Sequence, residues 1–316
     1  MDINSLIQWS VILIISLFVL VKAADLFIAG AKEMGEYFKM SQFVIGVLIV
    51  GMGTSLPELA SSLAGAWSGE TEIVLANAVG SNITNILLIV GVLAFLGGKV
   101  IIKQELIKTE LVVFFIATVN FIAVVFDGRV DRVEGLLLLG TFSAYIWYLF
   151  MEAKQPKTSS KIIKSNSSFP FKALIVGIFS LIALLVGASY TIDMAVNIAT
   201  AFAVPIGLIS ITAIAIGTSL PELFVSIQAI KTKQTEMAIG NIFGSNAFNM
   251  LVVVGLPALI VPLSAGVVVM KLGLGIMIAS SAIFFVIGLA RQVMRWEGLM
   301  MLIFFLFFLI KLMAFI

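Results

Sequence analysis

Glu58 and Glu222 stand in two identical heptapeptides: residues 53–59 read GTSLPEL, and residues 217–223 read the same. If each heptapeptide is helical, Thr54 and Glu58 are four residues apart and share a face, with Ser55 beside them. Thr218, Ser219 and Glu222 repeat that arrangement. Pro57 has no amide hydrogen, so the carbonyl of Gly53 loses its usual partner, and Pro221 does the same to Gly217. Each copy therefore gathers one carboxylate, two hydroxyls and freed carbonyls on one side of an interrupted helix. A second pair of segments adds neutral oxygens. Residues 77–85 read NAVGSNITN and residues 241–249 read NIFGSNAFN. Ser81 and Asn85 share a face, as do Ser245 and Asn249, with Asn77 and Asn241 one turn earlier. Both repeats are offset by 164 positions, an agreement that two separate motifs do not reach by chance.

This inventory contains oxygen and nothing softer. The chain has no cysteine and no histidine, so disulfides, thiolate chemistry and imidazole sites are excluded. Hard oxygens suit Ca²⁺, Na⁺, Mg²⁺ or Mn²⁺ rather than zinc or copper. Two carboxylates match the charge of one divalent ion. Ca²⁺ accepts six to eight oxygens in flexible geometry, whereas Mg²⁺ sheds water reluctantly. A set of scattered hydroxyls and carbonyls favours Ca²⁺, although the same oxygens could hold Na⁺. Asn77, Asn82, Asn241 and Asn246 divide evenly between ion ligation and hydrogen bonding between helices, and Gly80 and Gly244 suit close helix approach.

The elements that must position these residues are membrane helices. The chain has 316 residues, 61% hydrophobic and only 11% charged, too few charges to cover a water-soluble domain. Continuous apolar runs, rather than alternating ones, favour helices over a barrel. Ten spans are expected, near 5–31, 41–66, 72–97, 106–126, 133–151, 171–193, 204–230, 236–262, 268–290 and 297–315. The first lacks a basic leader and a small-residue cleavage site and reads as a retained span. The fold expected is an all-α membrane protein. It divides into a five-helix repeat over 1–153, a linker over 154–170 and a second five-helix repeat over 171–316. Fourteen of the 19 basic residues fall on alternate loops that include the linker. That bias places the linker in the cytoplasm and both termini outside. An odd number of helices per half then inverts one half relative to the other, the arrangement of many secondary transporters.

In that frame both motifs lie near the bilayer midplane. An acid there costs about 2.5 kcal/mol or more unless paired or hydrated. No basic residue lies within eight positions of Glu58 or Glu222. If the halves face each other, the two acids meet, and their repulsion requires a cation or a proton between them.

The duplicated GTSLPEL and GSN-x-x-N segments resemble the alpha repeats of the cation/calcium exchanger superfamily, in particular prokaryotic sodium/calcium exchangers. The resemblance covers most of the chain. It implies an antiporter exchanging Na⁺ for Ca²⁺ by alternating access in a cell (plasma) membrane. It assigns ion binding to Thr54, Ser55, Glu58, Ser81, Asn85, Thr218, Ser219, Glu222, Ser245 and Asn249. Backbone carbonyls at Gly51 and Ala215 join that set. It also implies that the long first and sixth helices, here 5–31 and 171–193, slide over a core of motif helices. Some relatives, the potassium-dependent exchangers among them, carry aspartate where this chain has Asn249. Proton-coupled members usually show a different first motif. Ca²⁺/H⁺ antiport and potassium-dependent exchange are the alternatives within the superfamily.

No cofactor is expected beyond the transported ions, and no enzyme activity. The partners are Ca²⁺, Na⁺ and the bilayer, and a net charge of +2 gives no reason to expect nucleic acid. A channel built on a carboxylate ring is disfavoured by having two acids rather than three or more. Lys22 and Asp25 are expected to pair within the first span, Asp193 to be solvated at a membrane edge, and Glu70 and Glu72 to sit on a wet outer loop.

Overall fold

The computed structural model describes residues 3–101, 104–153, 168–203 and 216–314. Helices dominate: α1 (Ile3–Tyr37), α2 (Gln42–Thr54), α3 (Leu56–Ser68), α4 (Thr71–Gly97), α5 (Gln104–Val125) and α6 (Arg132–Ala153), then α7 (Phe171–Ala201), α8 (Leu220–Lys231), α9 (Thr235–Ile260), α10 (Val269–Ala290) and α11 (Arg295–Met313). Seven of them, α1, α4, α6, α7, α9, α10 and α11, are long and apolar enough to cross a membrane. α2 and α3 together make an eighth, bent by 43° at Ser55. The span expected at 106–126 falls on α5, a helix of 22 residues. Of the span expected at 204–230, residues 204–215 lie outside the described residues, as do 154–167 of the linker.

The first and sixth expected spans run further than their apolar runs. α1 continues to Tyr37, and its polar end carries an exposed ion pair one turn apart, Lys32–Glu36 at 3.9 Å. α7 continues past Asp193, which is exposed as expected, to Ala201. Glu70 and Glu72 are also exposed.

α4 and α9 are the most enclosed of the long helices, and every residue from Met237 to Val253 of α9 is buried. They form the centre with α2, α3 and α8. α1, α6, α7 and α11 lie at the periphery and present rows of apolar side chains such as Phe18, Leu136, Phe179 and Phe307. α1 and α7 pack along each other, and Thr191 donates to Ser16 across that contact at 2.9 Å.

Two short antiparallel ribbons join loops from the two halves of the chain. β1 (Lys99–Ile101) pairs with β4 (Gln292–Met294) in the register Lys99↔Met294. β2 (Arg129–Val130) pairs with β3 (Leu263–Ser264) in the register Arg129↔Ser264.

Lys22 and Asp25 do not pair. Lys22 Nζ lies over the Phe18 ring, 5.9 Å from its centroid, and the Asp25 carboxylate accepts from Gln228 Nε2 of α8. The two side chains leave α1 in different directions, and an amide on the packed side supplies the acid with its partner.

Candidate functional site

The chain breaks where proline removes a backbone donor. Ser55 has φ −86° and ψ 10°, outside helical values, and Pro57 sits in the first turn of α3. Ser219 has φ −88° and ψ 4°, with Pro221 in the first turn of α8. Each new helix thus starts with its acid, Glu58 or Glu222, in the first turn, where unpaired amides and the helix dipole favour negative charge. The stretches beside the breaks are wound more widely than an α-helix. Gly46–Gly51 of α2, Thr84–Val90 of α4 and Asn249–Val253 of α9 are π-helical. Such turns shift the backbone register and often mark functional positions.

The two acids are enclosed, at 0% and 1% exposure. Ser55 Oγ donates to Glu222 Oε1 at 3.0 Å, so the break of the first motif touches the acid of the second. The hydroxyls of Thr54 and Ser245 stand beside Glu222, and that of Thr218 stands beside Glu58. The two acids are within electrostatic reach of each other. Among the described residues neither oxygen of Glu58 accepts a hydrogen bond of normal geometry, nor does Glu222 Oε2. Among the described residues no lysine or arginine pairs with either acid, and the single ion pair is Lys32–Glu36. A buried carboxylate in this condition is strongly unfavourable unless a positive partner arrives.

Neutral oxygens from both motifs surround this pair. Ser245 Oγ donates to the carbonyl of Gly51 at 3.2 Å. Ser81 Oγ lies 3.4 Å from Thr218 Oγ1, joining the second motif of one copy to the first motif of the other. Ser219 Oγ and all four amide atoms of Asn85 and Asn249 are buried without a hydrogen-bond partner among the described residues. Asn85 follows Ser81 by one turn, and Asn249 follows Ser245 likewise. Eleven of the twelve expected site residues are therefore buried or partly buried at the two breaks and on the helices around them. The twelfth, Ala215, lies outside the described residues.

Asn77 and Asn241 act as clamps. Asn77 Nδ2 donates to the Glu58 carbonyl at 2.9 Å and to Ser62 Oγ at 3.0 Å. Asn241 Nδ2 donates to the Glu222 carbonyl at 3.3 Å and to Ser226 Oγ at 2.8 Å. Asn241 Oδ1 also accepts from Thr54 at 3.3 Å. Ser62 and Ser226 stand outside the sequence motifs, yet they too are 164 positions apart, and that spacing was the available signal. Replacing Asn241 with alanine leaves the Glu222 carbonyl and Ser226 without their donor. A buried polar group so stranded costs about 1–3 kcal/mol. Thermal unfolding of Asn241→Ala in detergent should therefore begin well below wild type, and an unchanged melting curve would contradict the clamp.

Glycines bring α2 and α9 together. A Cβ at Gly240 would lie 2.3 Å from the Phe43 carbonyl oxygen, and one at Gly244 would lie 2.5 Å from that of Val47. A Cβ at Gly51 would meet the Asn241 carbonyl oxygen at 2.8 Å. This backbone-to-backbone approach places Asn241 and Ser245 against Thr54 and Gly51. At Gly80, by contrast, nothing among the described residues lies within 4 Å of such a Cβ.

Broken helices meeting around uncompensated acids inside an apolar helical body define an integral membrane transporter of cations. The family model described as sodium/calcium exchanger protein matches residues 9–151 and 172–314, and the chain belongs to that family of cation/Ca²⁺ exchangers. It is 36% identical over 262 residues to the inner membrane protein YrbG of Escherichia coli K12, covering 79% of each chain. It is 31% identical over 345 residues to the sodium/calcium exchanger MaX1 of Methanosarcina acetivorans, covering 95% of this chain and 97% of that one. Its structure resembles that of the sodium-calcium exchanger NCX_Mj with a TM-score of 0.83 and 27% identity, covering 97% of this chain and 99% of the other.

Proposed function

We propose that this protein exchanges Na⁺ for Ca²⁺ by alternating access at a midplane site built on Glu58 and Glu222. In this reading Ca²⁺ is held by both carboxylates together with oxygens drawn from Thr54, Ser55, Ser81, Asn85, Thr218, Ser219, Ser245 and Asn249. The carbonyls of Gly51 and Ala215 complete the set. Na⁺ binds overlapping positions and competes for the same carboxylates. Ten helices form two inverted repeats over 1–153 and 171–316, joined by a cytoplasmic linker over 154–170. Both termini face outward from the plasma membrane.

The observation that carries this reading is the burial of two neighbouring acids with no cationic partner among the described residues, amid hydroxyls and amides contributed by both motif copies. The site's charge demands a mobile cation, and its ligands are hard oxygens. Obligatory exchange then follows from electrostatics. A loaded site is near neutral and can move between orientations within the low-dielectric core. An emptied site leaves two like charges confined together and moves poorly. Each release is therefore coupled to the next binding. Asparagine at both 85 and 249 leaves two carboxylates rather than three, which suits exchange that does not require K⁺.

Purified protein in liposomes tests the coupling. Internal Na⁺ should drive ⁴⁵Ca²⁺ uptake, whereas internal choline should reduce it to background. A pH gradient with choline on both sides should leave it there, and K⁺ should be dispensable. Robust uptake on the pH gradient would replace this reading with Ca²⁺/H⁺ antiport. Dependence on K⁺ would replace it with the potassium-coupled form.

A further inference from the structure

The two long peripheral helices meet the core unequally. α1 lies along α8 and covers it. α7 touches Met52–Thr54 just before the first break and also α8, but among the described residues it makes no comparable contact with α3. The motif offset of 164 allows α3 and α8 to be compared residue by residue. Leu56 is 42% exposed, and Ala60, Ser61 and Ala64 are exposed too. Their counterparts Leu220, Phe224, Val225 and Gln228 are all buried or half-buried. Among the described residues the face of α3 is thus open and that of α8 closed.

The closed side contains an acid that the ion site does not use. Asp25 lies within the apolar run of α1, is half-buried, and has no lysine or arginine partner among the described residues. Its hydrogen bond comes from Gln228 Nε2, on the helix that begins with Glu222. The position 164 residues before Gln228 is Ala64, on the uncovered face of α3, and a methyl group donates no hydrogen bond. The bond therefore has no equivalent on the open side. Intramembrane acids persist where they serve a function, and a bond made in one orientation only shifts the balance between orientations.

We propose that Asp25 and Gln228 are positioning residues that latch α1 onto α8 and bias the transporter towards the orientation with α8 covered and α3 open. This rests on the alternating-access reading above. Losing one hydrogen bond to a charged group should shift the orientation equilibrium roughly tenfold.

The absence of native cysteine allows a direct test. Ala64→Cys places one thiol on the open face, and Phe224→Cys places one on the covered face. Each is labelled with a maleimide in detergent-purified full-length protein, in choline buffer free of Na⁺ and Ca²⁺. Added Asp25→Ala or Gln228→Ala should slow labelling at residue 64 and speed it at residue 224, each several-fold. Asp25→Asn keeps the accepting oxygen and should restore both rates. The double variant should shift no further than either single one, since one bond is lost. A mere loosening of the fold would raise both rates together, and that result overturns the latch. Unchanged rates overturn it as well, as does Asp25→Asn matching Asp25→Ala. Labelling reads no ion flux, so failure of the latch is distinguishable from failure of Na⁺ to drive Ca²⁺ uptake.

Discussion

Glu58→Gln and Glu222→Gln should each reduce Na⁺-driven Ca²⁺ uptake to background while leaving the protein folded. Glutamine keeps the shape and one carbonyl oxygen but removes the charge that a divalent ion requires. Both acids are fully enclosed and lie within electrostatic reach of each other. Neutralising one relieves repulsion in the empty protein, so each variant should melt at or above the temperature of the unliganded wild type. The ligand effect should move the opposite way. A ligand at 100 times its dissociation constant stabilises the folded state by about 2.7 kcal/mol. Wild type should therefore melt at a higher temperature in saturating Ca²⁺, and either glutamine variant should not. Near-normal exchange by Glu58→Gln would remove the basis for a two-carboxylate site. A Ca²⁺-dependent shift retained in both variants would move the ion to other ligands.

Gly244→Ala should be among the most damaging small substitutions in the core. The added carbon would lie 2.5 Å from the Val47 carbonyl oxygen and 2.7 Å from its Cα, so backbone rather than a flexible side chain must yield. Overpacking of this kind typically costs about 1–3 kcal/mol and sometimes more. The functional loss should exceed the loss of stability, because pushing α9 from α2 also withdraws Ser245 from Gly51 and Asn241 from Thr54. Displacements near 1 Å at a positioned site can cost about two orders of magnitude in rate. Gly140→Ala is the matched control: that helical glycine has open space around its Cβ position. There alanine should be neutral or slightly stabilising, by about 0.5–1 kcal/mol, through its higher helix propensity. Melting curves and ⁴⁵Ca²⁺ uptake measured on both variants decide the matter. Wild-type behaviour of Gly244→Ala would show that the close approach of these helices is dispensable.

Both expectations draw on features that differ in how readily a linear sequence reveals them. The carboxylates, their hydroxyl neighbours and the proline breaks are local properties, written in the types and spacing of residues 53–59 and 217–223. The apolar runs are local as well. Lipid offers no hydrogen bonds, so the backbone must satisfy itself within each segment, and charge is tolerated only where it serves a purpose. The asparagine clamps were half legible. Asn77 and Asn241 repeat at the motif offset, but their donation to Ser62 and Ser226 depends on how two helices face each other.

Lys22 and Asp25 show where local reasoning stops. A spacing of three residues within one helix suggested an ion pair, and Asp25 instead accepts from Gln228, 203 residues away. Ser55 reaches Glu222 across 167 residues, Ser245 reaches Gly51 across 194, and Thr54 reaches Asn241 across 187. Helical periodicity carries no information over such separations. That two acids lie in interrupted apolar helices among oxygen donors is legible in the linear chain, because those properties are fixed by each residue and its near neighbours. Which oxygens meet which acid, and which face of the core α1 covers, can be read only from the folded protein. Those pairings are set by the packing of helices remote in the chain, and above all by glycine surfaces that let two backbones touch.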